Sequence, residues 1–154
     1  WGLNPIGIKY FLNYNNSIPG LPSLEVKQKP SFAEFKRSAI TRFISKASTR
    51  IKAYQPDCII SAALKPNLLN ARNTFSQEWD VWLAGGYIDW AVPMNYTMDL
   101  STFDKNIRIM KENLPLKYLD RVVMGIATYN QNARNAGKKI YHTGKNDFSG
   151  ILWW

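Results

Sequence analysis

Apolar positions along the chain change period several times, and the changes mark alternating strands and helices. Gly7 to Tyr14 (GIKYFLNY), bounded by Pro5 and the Asn15-Asn16-Ser17 cluster, is an apolar run that predicts a first strand. A long loop is predicted over 15–30, where Pro19, Gly20, Pro22 and Pro30 fall. Ser31-Phe32-Ala33-Glu34 fits a capping box. Behind it Phe32, Phe35, Ala39, Phe43, Ala47, Ile51 and Tyr54 recur every three or four residues, with Lys36, Arg37, Arg42, Lys46 and Arg50 between them. One long amphipathic helix with a basic outer face follows.

Cys58 to Leu64 predicts a second strand, followed by a polar loop with Lys65, Pro66 and Asn67. A short helix fits Ser76 to Ala84, with Trp79, Trp82 and Leu83 inward and Gly85-Gly86 free to form a left-handed cap. Ile88 to Tyr96 (IDWAVPMNY) is a third strand despite Pro93. A helix over 101–114 carries the stripe Phe103, Ile107, Met110 and Leu114. Val122 to Thr128 is a fourth strand, 131–142 a helix, and Phe148 to Trp154 a fifth strand.

The order β-α-β-α-β-α-β-(α)-β, with strands that are continuous apolar runs, points to a parallel sheet buried by helices. An open doubly wound sheet and a stretch of a (β/α)8 barrel both fit. A whole barrel takes roughly 250 residues. Residues 1–154 are expected to form one unit, and its five strands could be the last five of a TIM barrel.

Composition narrows the function. The chain has 154 residues, 45% of them hydrophobic and 14% aromatic, enough for a real core. Lys, Asn, Asp or Pro interrupts every apolar run, so no membrane span is expected. Cys58 is expected to be a buried structural thiol, and a single cysteine makes no disulfide or thiolate metal site. His142 is expected in a surface loop, and no metal or cofactor is expected. The formal charge of +9 attracts polyanions. Most cations fall on outer helix faces, however, and no nucleic-acid motif is present, so nucleic acid is not the expected partner.

In a parallel α/β sheet, ligands meet the residues just beyond the C-terminal strand ends. Those residues are Asn13, Tyr14 and Asn15; Lys65 and Asn67; Asn95, Tyr96 and Asp99; Tyr129 and Asn130; and Trp153 and Trp154. Amides that bind hydroxyl groups and rings that stack on pyranose faces make a sugar site. Aromatic residues at such ends also plug barrels and form interfaces.

Gln77 to Tyr96 (QEWDVWLAGGYIDWAVPMNY) resembles the Q-x-W-x-x-W-L-x-x-G-x-(I/L)-D-(F/W)-x-x-P-M-x-Y string of the bacterial glycosyl hydrolase-like family 10. Phe32 to Arg37, Ser61 to Leu64 and Phe148 to Leu152 resemble further segments of that family in the same order. The resemblance implies a (β/α)8 barrel of carbohydrate-active type, with this chain covering strands four to eight. It also implies that Tyr96 stands over the cleft, as in chitinase-like barrels.

The chain departs from the family at the fourth strand. There the family carries G-I-H-x-D-Y-x-R-Y-P, with a candidate catalytic Asp, whereas residues 7–15 read GIKYFLNYN with no carboxylate. Glycoside hydrolysis ordinarily uses two carboxyl groups flanking the bond. Of 11 acids, only Asp99 lies beyond a strand end, where helix capping competes with a catalytic role. Either the missing acids lie on strands one to three, contributed by the same polypeptide or another chain, or this member binds glycan without cleaving it. The resulting expectation is a secreted, periplasmic or cell-surface bacterial protein acting on a polysaccharide or peptidoglycan glycan. The alternative is a non-enzymatic interaction module using the same aromatic cleft.

Overall fold

The structure, a computed structural model, describes residues 5–16 and 31–153, with the side chains of 14–16 excluded. Of the loop expected at 15–30, residues 15–16 end a helix and 17–30 lie outside the described residues, as do the Tyr14 and Asn15 side chains and Trp154. The elements run α1 (Pro5–Asn16), α2 (Phe32–Tyr54), β1 (Ser61–Leu64), α3 (Leu68–Phe75), α4 (Trp79–Ala84), β2 (Trp90–Pro93) and α5 (Leu100–Asn113). A 3-10 turn (Leu116–Arg121), β3 (Val123–Ile126), α6 (Ala133–Gly144) and β4 (Gly150–Trp153) complete the order.

The strands are all parallel. β1 pairs with β2, Ser61 opposite Trp90, and β3 pairs with β4, Val123 opposite Gly150. Bridges at Ala91–Val122 and Met94–Gly125 join the two pairs, giving the spatial order β1-β2-β3-β4. Parallel strands need crossover connections, and a helix lies between every two. The fold is α/β with short parallel strands, as the continuous apolar runs predicted.

The first segment differs from its prediction. Residues 7–14 form part of helix α1 instead of a strand. Pro5 occupies the first helical position, where its fixed φ and missing N–H cost nothing. A strand needs a neighbour for its backbone groups, whereas a helix satisfies them locally. Phe11 then turns edge-on to Phe32 and Phe35 of α2, with centroids 5.0 and 5.4 Å away. Ile8, Tyr10 and Leu12 of the apolar run that suggested the strand are all exposed, as is Ile6 before it.

Helix α2 starts as predicted. The Glu34 carboxylate accepts from the Ser31 amide at 2.5 Å, and Ser31 Oγ accepts from the Glu34 amide at 3.2 Å. Its expected apolar stripe does not face inward throughout: Phe43, Ile51 and Tyr54 are exposed, and Ile40 and Ile44 pack against the core instead. A polar relay ties α2 to α4: Trp82 Nε1 donates to Thr41 Oγ1 at 2.8 Å, and Thr41 donates to Glu78 at 3.2 Å. Arg37 and Arg72 flank Glu78, while Arg72 also reaches Asp80 at 2.6 Å.

One core lies between the helices and one face of the strands. Leu64, Ala91, Met124 and Ile126 from the strands meet Leu68, Trp79, Trp82, Phe103, Ile107 and Met110. The predicted stripes of α4 and α5 are all buried. Full burial of a side chain such as Leu64 or Phe103 contributes about 1.5–3 kcal/mol. The opposite sheet face carries Ala63, Val92, Val123 and Leu152, with Trp90 and Leu152 exposed.

Arg121 closes the turn after α4. Its guanidinium donates to the carbonyls of Leu83 at 3.0 Å, Asp89 at 2.9 Å and Ile88. Gly86, at φ +66, supplies the left-handed residue that the Gly85-Gly86 pair was expected to provide. Two smaller expectations change. Cys58 is only partly buried, because β1 begins at Ser61 and leaves it in the connection before the strand. His142 lies on α6 and not in a loop, its Nδ1 2.9 Å from Asp104 Oδ1 on α5.

Candidate functional site

The C-terminal strand ends form a rim built from three connecting loops. β1 delivers Lys65 to Asn67, β2 delivers Met94 to Asp99, and β3 delivers Ala127 to Asn132. Lys65, Pro66, Met94, Asn95, Tyr96 and Thr97, with Asn106 from α5, line a depression of ≈ 360 Å³ between the first two loops. Lys65 is fixed at both ends: its amide donates to Gln77 Oε1 at 2.9 Å, and its Nζ stands 4.6 Å from the Phe75 ring.

Two bonds fasten the second loop to the third. Asn130 Nδ2 donates to the Tyr96 carbonyl at 3.1 Å, and the Lys139 ammonium of α6 donates to the next carbonyl, Thr97. Lys139 also donates to Gln131 Oε1 at 2.6 Å and lies 5.7 Å from the Phe103 ring. It is fully buried, and removal from water lowers its pKa below 10.5, with Asp99 opposing that shift. Beneath the loops Gly125 admits the Tyr96 ring. A Cβ at Gly125 would stand 3.2 Å from Tyr96 Cε1 and 3.1 Å from the Pro93 carbonyl.

Among the expected site residues, the structure groups Lys65, Asn95 and Tyr96 around one depression and attaches Asn130 to it. Asn95 is buried and faces inward. Its Nδ2 donates to the Phe103 carbonyl at 3.2 Å, and its Oδ1 accepts from Asn106 Nδ2 at 2.9 Å. That amide organises the loop instead of meeting solvent. Asn67 caps α3, accepting from the Asn70 amide at 3.0 Å. Tyr129 and Trp153 stand at strand ends with 74% and 67% of their surface exposed. Asn13 sits on α1 and not after a strand, because the segment expected to form that strand is helical.

Asp99 is the N-cap of α5. Its Oδ2 accepts from the hydroxyl and the amide of Thr102, both at 2.7 Å, and these bonds hold its carboxyl below the ordinary 3.8. Both of these bonds serve the helix start, so the carboxylate is engaged as a cap. Among the described residues it is the only carboxylate in the three rim loops, and no cluster of His, Cys, Asp or Glu could hold a metal ion.

The sequence reading missed Lys139, Asn106 and Gln131. A signal for Lys139 existed, because Ala136, Lys139 and Thr143 form the buried stripe of α6. A lysine at an inward helical position is rarely tolerated unless its ammonium finds partners.

The model of the glycosyl hydrolase-like 10 family matches residues 13–142. The chain belongs to this family. The match takes in α2 through most of α6 and thus every rim loop. Among curated proteins, none matches the chain. Membership suggests a glycoside hydrolase-like function for the chain. The polar groups of the described rim loops are mostly amides and hydroxyls, among them the phenols of Tyr96 and Tyr129. Among the described residues no helix is long and apolar enough to cross a membrane.

Proposed function

We propose that the chain is the C-terminal portion of a (β/α)8 barrel whose rim binds a polysaccharide or peptidoglycan glycan, with binding rather than bond cleavage as the activity of the described loops. The observation that carries this reading is the bond from Asn130 to the Tyr96 carbonyl, which holds two strand-end loops as one surface beside Lys65. A glycan site needs such preorganised polar groups beside an aromatic face. Asp99 is the only carboxylate in the described rim loops and is engaged as a helix cap, which supports placing catalytic impairment in this rim. A secreted, periplasmic or cell-surface setting follows from the polymer proposed.

Barrel closure is proposed from the sheet. The β1 and β4 edges lie at opposite ends of the strand order, and the face away from the helices exposes Trp90 and Leu152. Further strands of the same polypeptide or of another chain would cover that face. The exposed rings of Tyr129 and Trp153 also favour a second reading, in which the cleft holds a protein partner.

Titration with chito-oligosaccharides followed by NMR tests the glycan reading. Resonances of Tyr96, Asn130 and Trp153 are expected to shift together, and Tyr96→Ala to weaken binding about tenfold, ~1.4 kcal/mol. No shift at the rim at millimolar sugar overturns it.

A further inference from the structure

We infer that the outer face of α2 is a docking surface for an acidic polysaccharide, a chain bearing a carboxylate on successive sugar rings. Between Phe35 and Pro56 the sequence holds Lys36, Arg37, Arg42, Lys46, Arg50 and Lys52 and not one acid. Arg37 and Lys52 turn toward the body, pairing with Glu78 and Asp89. Lys46 and Arg50 face outward, and neither forms an ion pair among the described residues. Being four residues apart, they lie about 6 Å from each other along the helix axis.

Two rings bracket these cations. Phe43 and Tyr54 are 69% and 82% exposed, far more than rings placed for the core. At 100° per residue Phe43, Arg50 and Tyr54 fall in one narrow wedge with Lys46 at its border, on the side away from buried Ser48. Ser45, Lys46, Thr49, Arg50, Ala53 and Tyr54 line a shallow groove of ≈ 620 Å³ along this face. Cations would meet carboxylates, and the rings would cover the apolar faces of sugars at either end. The surface is separate from the rim, because Lys52 pairs with Asp89 just before β2, at the opposite end of the strands.

The choice of polymer rests on the glycan reading above. Charge alone would also suit single-stranded nucleic acid. That ligand ordinarily tracks a groove with adjacent stacking rings, whereas these two rings lie about 16 Å apart on a convex helix.

Affinity electrophoresis of the full chain through gels containing polygalacturonate, with dextran as the uncharged control, tests the inference. Polygalacturonate is expected to retard the protein and dextran to leave it unaffected. Lys46→Glu with Arg50→Glu should weaken retardation at least tenfold at low salt, and Phe43→Ser with Tyr54→Ser should weaken it without changing its salt dependence. Thermal melts confirm that these surface variants fold, and Lys46→Gln with Arg50→Gln serves as the milder version. Unchanged retardation of the charge variants, equal retardation by dextran, or tighter binding of single-stranded DNA overturns the inference. Tyr96→Ala is expected to keep polygalacturonate binding while losing chito-oligosaccharide binding, so failure of the rim reading is distinguishable from failure of this one.

Discussion

The ammonium of Lys139 donates to Gln131 Oε1 at 2.6 Å, fastening α6 to the loop that leaves β3, and donates at the same time to Thr97 in the loop that leaves β2. A buried cation thereby sets the spacing of two rim loops.

Lys139→Met keeps the length of the side chain and removes both bonds, leaving two acceptors unpaired. A loss of about 1–3 kcal/mol is expected in urea denaturation. The pH dependence has a definite sign. Burial lowers the Lys139 pKa in the folded state below 10.5. Between the lowered value and 10.5 the unfolded chain binds more protons, so stability from this group rises with pH. The gap between wild type and Lys139→Met should widen as pH climbs toward 10.5. A constant gap would show that burial does not penalise the ammonium.

Gly125→Ala places a Cβ 3.1 Å from the Pro93 carbonyl and 3.3 Å from Met94 Cα, both backbone atoms unable to swing aside. The strand pair must part or the Tyr96 ring must move. Thermal melts should register a loss of about 1–3 kcal/mol, together with displaced Tyr96 ring resonances. An unshifted Tyr96 would contradict the packing described.

Asn95 and Asn106 form a buried pair at 2.9 Å. Removing either amide strands the other, so each single alanine variant should lose about 1–3 kcal/mol. The double variant should lose clearly less than the sum, which a double-mutant cycle in urea measures. Strict additivity would mean that the two side chains act independently.

Asp99→Ala should destabilise α5 at neutral pH, while Asp99→Asn retains most of the cap. Because its pKa is lowered from 3.8 in the folded state, the Asp99 contribution is present above 3.8 and fades as pH falls through the lowered value. Wild type and Asp99→Ala are expected to converge in acid. If Asp99 instead donated a proton in hydrolysis, Asp99→Asn would abolish glycan cleavage in any active preparation while leaving the fold intact.

Most of the α/β order was legible because buried strands and amphipathic helices impose different periods. The stripe Phe103, Ile107, Met110 and Leu114, the capping box at Ser31 and the parallel strands at 61, 90, 123 and 150 follow that rule. Residues 7–14 did not obey it, since a short apolar run says nothing about whether a neighbouring strand is at hand, and Pro5 favours a helix start. Helix α3 was hidden because Leu68 to Phe75 is short and only half apolar, with only Leu68 and Ala71 buried. At the rim, Tyr96 and Asn130 could be placed from strand ends alone. The inward turn of Asn95 could not, since it depends on Asn106, a partner eleven residues away on a helix face.

Arg121 gathers three carbonyls from a turn more than thirty positions earlier in the chain. The bend at Gly85-Gly86, which looks like the most local feature of the sequence, is therefore completed from a distance. Without Arg121 those oxygens would be left to water, so the turn that leads into β2 draws its last hydrogen bonds from the segment that leads into β3. A single guanidinium thus ties the entrance of one strand to the entrance of the next.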